Sequence, residues 1–161
     1  MMLRLIAALC STVVVFERPP EPRFDARPSP ALDARAVIDL SLSALAANDR
    51  VRPDAGVRLA WRFASPDYKA QHGSFEAMRR AFHAPALAPL LQHRETLVDP
   101  SPPGAGRARV VVIALGDRGE PLGFVFELAR SERTRDCWLI AGIRRISSAP
   151  ALVRAPERAR I

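Results

Sequence analysis

Cysteine, lysine and tyrosine are scarce in this chain of 161 residues, which contains two cysteines, one lysine and one tyrosine. The two cysteines, Cys10 and Cys137, are too few for a disulfide framework or a zinc site. We expect Cys137 to be a small apolar core residue. No apolar run reaches the ~20 residues that a membrane-spanning helix needs, so no membrane span is predicted.

The positive charge is large, but it is dispersed along the chain. The formal net charge is +7, and Lys69 is the one lysine among 24 basic residues. This arginine excess, joined to 27 alanines, reflects GC-rich coding better than selection for a partner. A nucleic-acid-binding protein usually gathers its basic residues on one face and places aromatic side chains among them. Here acidic residues separate the basic ones, so nucleic acid is not an expected partner.

Both ends of the chain differ in composition from its middle. Residues 1–16 contain one arginine, no acid and a 12-residue apolar stretch, which is the length of a signal-peptide core. They predict a targeting segment, either for an organelle (chloroplast or mitochondrion) or for export, and the pattern leaves the address and the cleavage open. Residues 17–29 are rich in proline and predict an extended linker. Residues 147–161 predict a flexible tail.

The first half of the middle region predicts three helices. Ser29 is a candidate N-cap for a long amphipathic helix over residues 30–49, and residues 56–64 form a short apolar helix. A polar, non-helical stretch closed by Gly73 follows. Ser74 then caps the third helix.

The second half predicts four strands, because β-branched and aromatic residues recur there between turn signals. The candidate strands are residues 93–99, 107–115, 121–130 and 137–146. Three helices followed by an antiparallel meander indicate a single α+β domain over residues 30–146, with the helices on one face of a curved sheet. Strands and helices do not alternate and no GxGxxG is present, which excludes a Rossmann fold.

Five short phrases carry a family resemblance. They are LSALAAND (42–49), WRFASP (61–66), GSFEAM (73–78), APLL (88–91) and CWLIAGIR (137–144). In this order and spacing they resemble a family known only as a domain of unknown function, which looks like a member of the nuclear-transport-factor-2-like superfamily. The resemblance covers about residues 34–146. It implies that helices and a bent sheet form a cone around a pocket, and that a homodimer through the sheet face is an expected assembly. It implies no activity.

Large apolar side chains are expected to form both the core and the wall of that pocket, because such pockets are mostly apolar. The candidates are Trp61, Phe63, Tyr68, Met78, Phe82, Phe124, Phe126 and Trp138.

One cluster of polar residues suggests a catalytic site. An isomerase of the ketosteroid type needs a carboxylate base and hydrogen-bond donors for the developing oxyanion. Tyr68, Asp67 and His72 lie close together near predicted apolar walls. The structural alternative is that Asp67 caps a turn, Tyr68 packs by its ring and His72 is solvated, and the sequence favours this alternative. Glu127 alternates with apolar residues on its strand, so we expect it to face outward, toward an arginine of a neighbouring strand.

The sequence predicts no metal site and no cofactor site. The three histidines, His72, His83 and His93, are separated by glycine and prolines, and no HxH or HExxH pattern occurs. No cofactor is predicted.

The sequence therefore leads to three functional hypotheses. The first is a non-catalytic domain that binds a small apolar or amphipathic molecule in its cone. The second is a protein-interaction module that uses the outer face of the sheet. The third is an isomerase or dehydratase that uses Tyr68, His72 and Asp67.

Overall fold

A computed structural model describes residues 15–99, 103–116 and 118–146. Within them, helices α1 (Ala34–Ala46), α2 (Ala55–Phe63), α3 (Pro66–His72) and α4 (Phe75–His83) precede strands β1 (Glu95–Val98), β2 (Arg107–Leu115), β3 (Pro121–Ala129) and β4 (Leu139–Arg145). Short 3₁₀ turns lie at Ala88–Leu90 and Glu132–Thr134. The α+β class and the order of helices before strands are confirmed.

The first helix begins later than predicted. Asp33 is its N-cap, and the Asp33 carboxylate accepts a hydrogen bond from the Ala36 N–H at 2.7 Å. The predicted cap, Ser29, instead accepts from the Ala31 N–H at 3.2 Å, in the turn before the helix. A carboxylate at this position both satisfies an unpaired N–H and interacts with the positive end of the helix dipole. This places the start of α1 at Ala34.

Helix α3 replaces the polar, non-helical stretch of the prediction, so the described residues contain four α-helices rather than three. The Ser65 hydroxyl accepts from the Tyr68 N–H at 3.1 Å, and Pro66 follows at the first helical position, where no N–H is needed. Gly73 ends the helix with a φ of +77°, which glycine adopts without steric cost. Ser74 caps α4, as predicted, by accepting from the Ala77 N–H at 3.2 Å.

The four strands form one antiparallel sheet in the order β1-β2-β3-β4. Val110 pairs with Phe126 and Val112 pairs with Phe124, and these four side chains are buried in the same core as the helices. Glu127 lies on the other face, which we call the outer face. Its Oε1 lies 3.9 Å from Nε of Arg144 on β4, so the predicted outward orientation is confirmed.

Each edge strand of the sheet, β1 and β4, forms one further β-bridge with a residue outside the strands. Glu17 pairs with Thr96 of β1 through two backbone hydrogen bonds of 2.9 Å, and Ala64 bridges Ile140 of β4. These contacts cover part of each strand edge, where unpaired backbone groups otherwise invite pairing with other chains.

The proline-rich segment over residues 17–29, predicted as a linker, lies against the domain. Ala26 is buried, and one Arg62 guanidinium nitrogen donates to the carbonyls of Phe24 at 2.9 Å and Ala26 at 2.8 Å. The predicted targeting segment lies outside the described residues except for its last two positions, and the predicted tail over residues 147–161 lies wholly outside them. Among the helices that the structure describes, none is long and apolar enough to cross a membrane.

Candidate functional site

The side chains predicted to line an apolar pocket form a packed interior. Phe63, Met78, Phe82, Phe124 and Phe126 are fully buried, and Tyr68 and Trp138 are nearly so. Trp61 is partly buried and packs edge-on against Phe75, with ring centroids 6.2 Å apart. None of the eight lines any of the grooves described below. Their visible role is burial of apolar surface, which stabilises the fold.

The structure divides the predicted polar constellation into two parts. Tyr68 and His72 lie one turn apart on α3, with ring centroids 4.8 Å apart and ring planes at 71°. Neighbouring positions on a helix point roughly 100° apart, and the Asp67 side chain accordingly lies elsewhere. It is 85% exposed, and its Oδ1 is 3.9 Å from an Arg133 nitrogen. Tyr68 and His72 are therefore brought together, and Asp67 is not.

Burial sets the protonation of this pair. Burial raises the pKa of the Tyr68 hydroxyl, and a hydrogen bond with the Ile143 backbone opposes that rise. Burial lowers the pKa of His72. Near neutral pH the pair thus consists of a neutral phenol and a neutral imidazole, and the only nearby carboxylate considered from sequence is in solvent. The pair therefore lacks the buried carboxylate base that was expected for a site of the ketosteroid type.

Asp67 instead contributes to a groove of about 560 Å³, which we call the α3 groove. The groove lies between the start of α3, the turn over residues 131–134 and the ends of β2, β3 and β4 that adjoin that turn. Its floor contains small apolar residues, and its rim is polar and charged. The lining residues are Ser65, Pro66, Asp67, Gln71, Arg107, Ala108, Arg109, Glu127, Leu128, Ala129, Ser131, Arg133, Thr134 and Ala141.

The charges of the α3 groove are only partly compensated. Asp67 has Arg133 at 3.9 Å, a distance at which an exposed ion pair contributes little. Arg107 and Arg109 are exposed and form no ion pair with the residues that the structure describes. Arg109 lies opposite Glu127 in the β2–β3 register. The rim therefore offers two guanidinium groups to a ligand anion beside one cross-strand carboxylate.

A second polar cluster, which was not predicted from sequence, joins the ends of three helical segments. The Asp54 Oδ1 lies 2.7 Å from Nε2 of His83 and 3.2 Å from Nδ2 of Asn48, and the Asp54 Oδ2 lies 3.6 Å from Arg79. Asp49 accepts from the Asp54 N–H at 2.8 Å. The Asp54 side chain is only 12% exposed, whereas that of His83 is 46% exposed.

Asp54 combines backbone strain with an ionised side chain. Its φ of +57° is in the left-handed region that non-glycine residues seldom adopt. Burial acts to raise the pKa of the Asp54 carboxyl, but hydrogen bonds from His83 and Asn48, with the charges of His83 and Arg79, lower it overall. The pairing satisfies a buried carboxylate and ties α4 to the start of α2, which is a structural role that the contacts themselves explain.

No local pattern of residues predicts this cluster. Asp54 and His83 are 29 positions apart, and Asp54 lies between the first two predicted helices. Only the packing of α4 beside α2 brings them within hydrogen-bond distance.

The remaining histidine, His93, is buried. Its Nδ1 donates to the Leu90 carbonyl at 2.7 Å, and burial lowers the pKa of His93 while this hydrogen bond opposes the decrease. With regard to metals, no three residues among His, Cys, Asp and Glu gather within ligand reach in the parts of the chain that the structure describes. Cys137 is buried and unpaired.

No family model, curated protein or solved structure matches this chain.

Proposed function

We propose that this protein is a non-catalytic domain that binds a small amphipathic molecule, and that the α3 groove is where the molecule lies. The observation that carries the proposal is the groove's make-up. A volume of about 560 Å³ is within the range of small-molecule sites, and a small apolar floor is bordered by Arg107 and Arg109. A ligand with an apolar body and an anionic group meets both.

The proposed binding site differs in location from the pocket expected from sequence. The aromatic side chains predicted as the pocket wall fill the interior, whereas the α3 groove is open and uses strand residues of the outer face. We further propose that the fold is the nuclear-transport-factor-2-like cone and that the chain belongs to the domain-of-unknown-function family it resembles. The order of four helices before a four-stranded antiparallel meander supports this assignment. We also propose that residues 1–16 direct the protein to an organelle or to export.

A second candidate is a protein-interaction module that pairs two copies through the outer face. Half-buried aliphatic side chains on that face, among them Val111 and Leu97, favour it. Sedimentation equilibrium of the whole chain separates the candidates: a monomer at micromolar concentration contradicts this one, and a dimer that Val111→Asp dissociates supports it.

The groove is tested with anilinonaphthalene sulfonate, a fluorescent anion with an apolar body. Arg109→Ala should weaken its binding by about two- to fivefold, because one exposed charge contact contributes up to about 1 kcal/mol. Arg80→Ala is the matched control, since Arg80 is exposed on α4 and lines none of the grooves described. Ala129→Leu should weaken binding further by filling the floor.

Equal effects of the Arg109 and Arg80 variants would mean that the dye responds to net charge, and the groove would be rejected. Native mass spectrometry of the protein from its own source provides an independent test. A stoichiometric adduct of small mass, lost in the Ala129→Leu protein, is expected.

The enzymatic alternative predicts a different pattern. If Tyr68 stabilised an oxyanion, Tyr68→Phe would lower turnover by ~10²-fold or more. In the binding domain proposed here, Tyr68→Phe leaves dye affinity unchanged, because Tyr68 does not line the α3 groove.

A further inference from the structure

The α3 groove has charges of both signs on its rim. Its lining includes three arginines, Arg107, Arg109 and Arg133, and two carboxylates, Asp67 and Glu127. The function proposed above uses arginines alone. A ligand with only an anionic group would bring a further negative charge beside these two carboxylates, which would repel it. A ligand that also carries a cation complements the rim better.

Arg109 and Glu127 are directly opposite each other but are not joined. They pair in the β2–β3 register on the outer face, and oppositely charged side chains at such positions can interact. They form no ion pair with each other. The Glu127 Oε1 instead lies 3.9 Å from Nε of Arg144 on β4, and both of those side chains are 50% exposed. An exposed pair at this distance contributes little, so the carboxylate stays available to a ligand.

The adjoining strand explains the direction of the Glu127 side chain. Glu127 lies opposite Gly142 on β4, and the β3–β4 register shifts between Glu127 and Leu128. Because Gly142 has no side chain, the carboxylate can lie over it, and a Cβ at Gly142 would be 3.4 Å from the Glu127 Oε2. Irregular pairing of this kind redirects side chains and is frequent next to active sites. The carboxylate therefore turns toward β4, and Arg109 on β2 stays unpaired.

The apolar floor adjoins both signs of charge. Ala129 pairs with Arg107 in the β2–β3 register, and it lies two residues after Glu127 on the same face of β3. Ala141 of β4 also lines the groove, and both alanines are half-buried. An apolar group placed on them removes apolar surface from water, which favours binding.

A second groove shows what compensated charges look like in this protein. It has a volume of about 530 Å³ and lies between residues 18–22 and the end of α1, where Ala46 and Ala47 line it. On its rim the Glu21 carboxylate accepts a hydrogen bond from the Arg50 guanidinium at 2.8 Å. The 3.9 Å between Glu127 and Arg144 is too long for such a bond, so Glu127 keeps its oxygens for another donor.

We propose that the ligand of the α3 groove is a zwitterion with an apolar side group, of which an aromatic α-amino acid is the simplest example. Arg107 and Arg109 bind its carboxylate, whose two oxygens suit the planar fork of a guanidinium group. Glu127 binds its ammonium group, and the side group lies on Ala129. The inference rests on the function proposed for the groove and specifies the chemical class of its ligand.

Three compounds that differ by one charged group test the proposal. Phenylalanine has both groups, 3-phenylpropanoate lacks the ammonium group and 2-phenylethylamine lacks the carboxylate. Their binding to the whole ¹⁵N-labelled protein is measured by NMR titration at pH 7, with the amide signals of Arg109 and Glu127 as reporters. Phenylalanine should bind about two- to fivefold tighter than 3-phenylpropanoate, the increment of one exposed charge contact. The amine, which faces the arginines without a carboxylate, should bind weakest.

Variants assign that preference to one carboxylate. Glu127→Gln keeps the size of the side chain and removes its charge, so it should abolish the preference for phenylalanine without weakening 3-phenylpropanoate. Glu132→Gln is the matched control, because Glu132 is exposed on the neighbouring turn and does not line the groove. This control should keep the preference. Equal effects of the two variants, or a preference that survives in Glu127→Gln, would overturn the proposal.

The dye experiment separates this proposal from the function on which it rests. If the dye binds in a manner that depends on Arg109, but phenylalanine binds no tighter than 3-phenylpropanoate or neither binds, the zwitterion is wrong and the groove stands. If dye binding does not depend on Arg109, the groove is rejected, and the zwitterion with it.

Discussion

Replacing Gly56 with alanine should destabilise the protein, although helix propensity alone predicts the opposite. Gly56 lies in the first turn of α2, where that helix crosses α1, and its N–H donates to the Asn48 carbonyl at 3.2 Å. A Cβ at this position would collide with the Ala44 carbonyl oxygen, and would lie 2.8 Å from the Ala44 carbonyl carbon and 2.9 Å from the Asn48 Oδ1.

The magnitude follows from which atoms must move. Nonbonded carbon atoms normally lie about 3.5–4.0 Å apart, so α1 and α2 would have to separate by on the order of 1 Å. The colliding atoms are backbone, which cannot rotate away, so the cost is near the upper end of overpacking, ~3 kcal/mol. Alanine in place of a helical glycine returns ~1 kcal/mol. The net loss is about 2 kcal/mol.

Urea unfolding followed by circular dichroism measures this difference directly, and thermal unfolding should show a midpoint lowered by about 4–8 °C for a chain of this size. Gly142→Ala is the matched control. A Cβ at Gly142 would lie 3.4 Å from the Glu127 carboxylate, an ordinary contact. Its stability should change by no more than about 0.5 kcal/mol.

An unchanged or raised midpoint in Gly56→Ala would refute the reasoning. That result would mean that α1 and α2 are further apart than the Ala44 contact implies.

Three further predictions concern polar groups that the fold has buried. Tyr68→Phe should change the free energy of unfolding in urea by no more than about 1 kcal/mol, because the buried ring is kept and only the hydroxyl is lost. Asp54→Asn removes the charge from the 2.7 Å contact with His83 and should cost about 1–2 kcal/mol at neutral pH. Since the pKa of Asp54 is lowered by folding, that difference should be present above pH ~4 and decline as the pH falls further; a constant difference would contradict it. Burial lowers the pKa of His93, so the unfolded chain takes up the proton first, and this histidine's contribution to stability should be complete above pH ~6.5 and fall with pH below that value. His93→Asn should show a shallower decline between pH 7 and 5 than the unaltered protein, and parallel curves would contradict the burial.

Local patterns were sufficient for most of the fold. The β-branched run over residues 107–115 gave the bounds of β2, and alternation around Glu127 gave the face to which each β3 residue belongs. Both are properties of neighbouring residues, since a strand's side chains alternate whatever it pairs with. Helix α3 was not predicted from local patterns. Its signals, Ser65–Pro66 before and Gly73 after, are present, but seven polar-rich residues carry no apolar periodicity.

The candidate sites were less accessible from sequence. The adjacent residues Tyr68 and Asp67 suggested one site, yet the helical rotation between them directs one side chain inward and the other to the α3 groove. The opposite case is Asp54 and His83, which are distant in sequence and in contact in the fold.

Sequence alone thus determined the α+β class, the order of the four strands, the bounds of β2 and the outward direction of Glu127, because hydrophobic periodicity acts over a few residues. Tertiary structure alone decided that the large aromatic side chains form core without lining a groove, that Arg107 and Arg109 border a groove, and that Nε2 of His93 is buried without a donor among the described residues. Each of these depends on which elements meet across the fold. A side chain's burial and partners are set by residues far along the chain, and no local pattern encodes them.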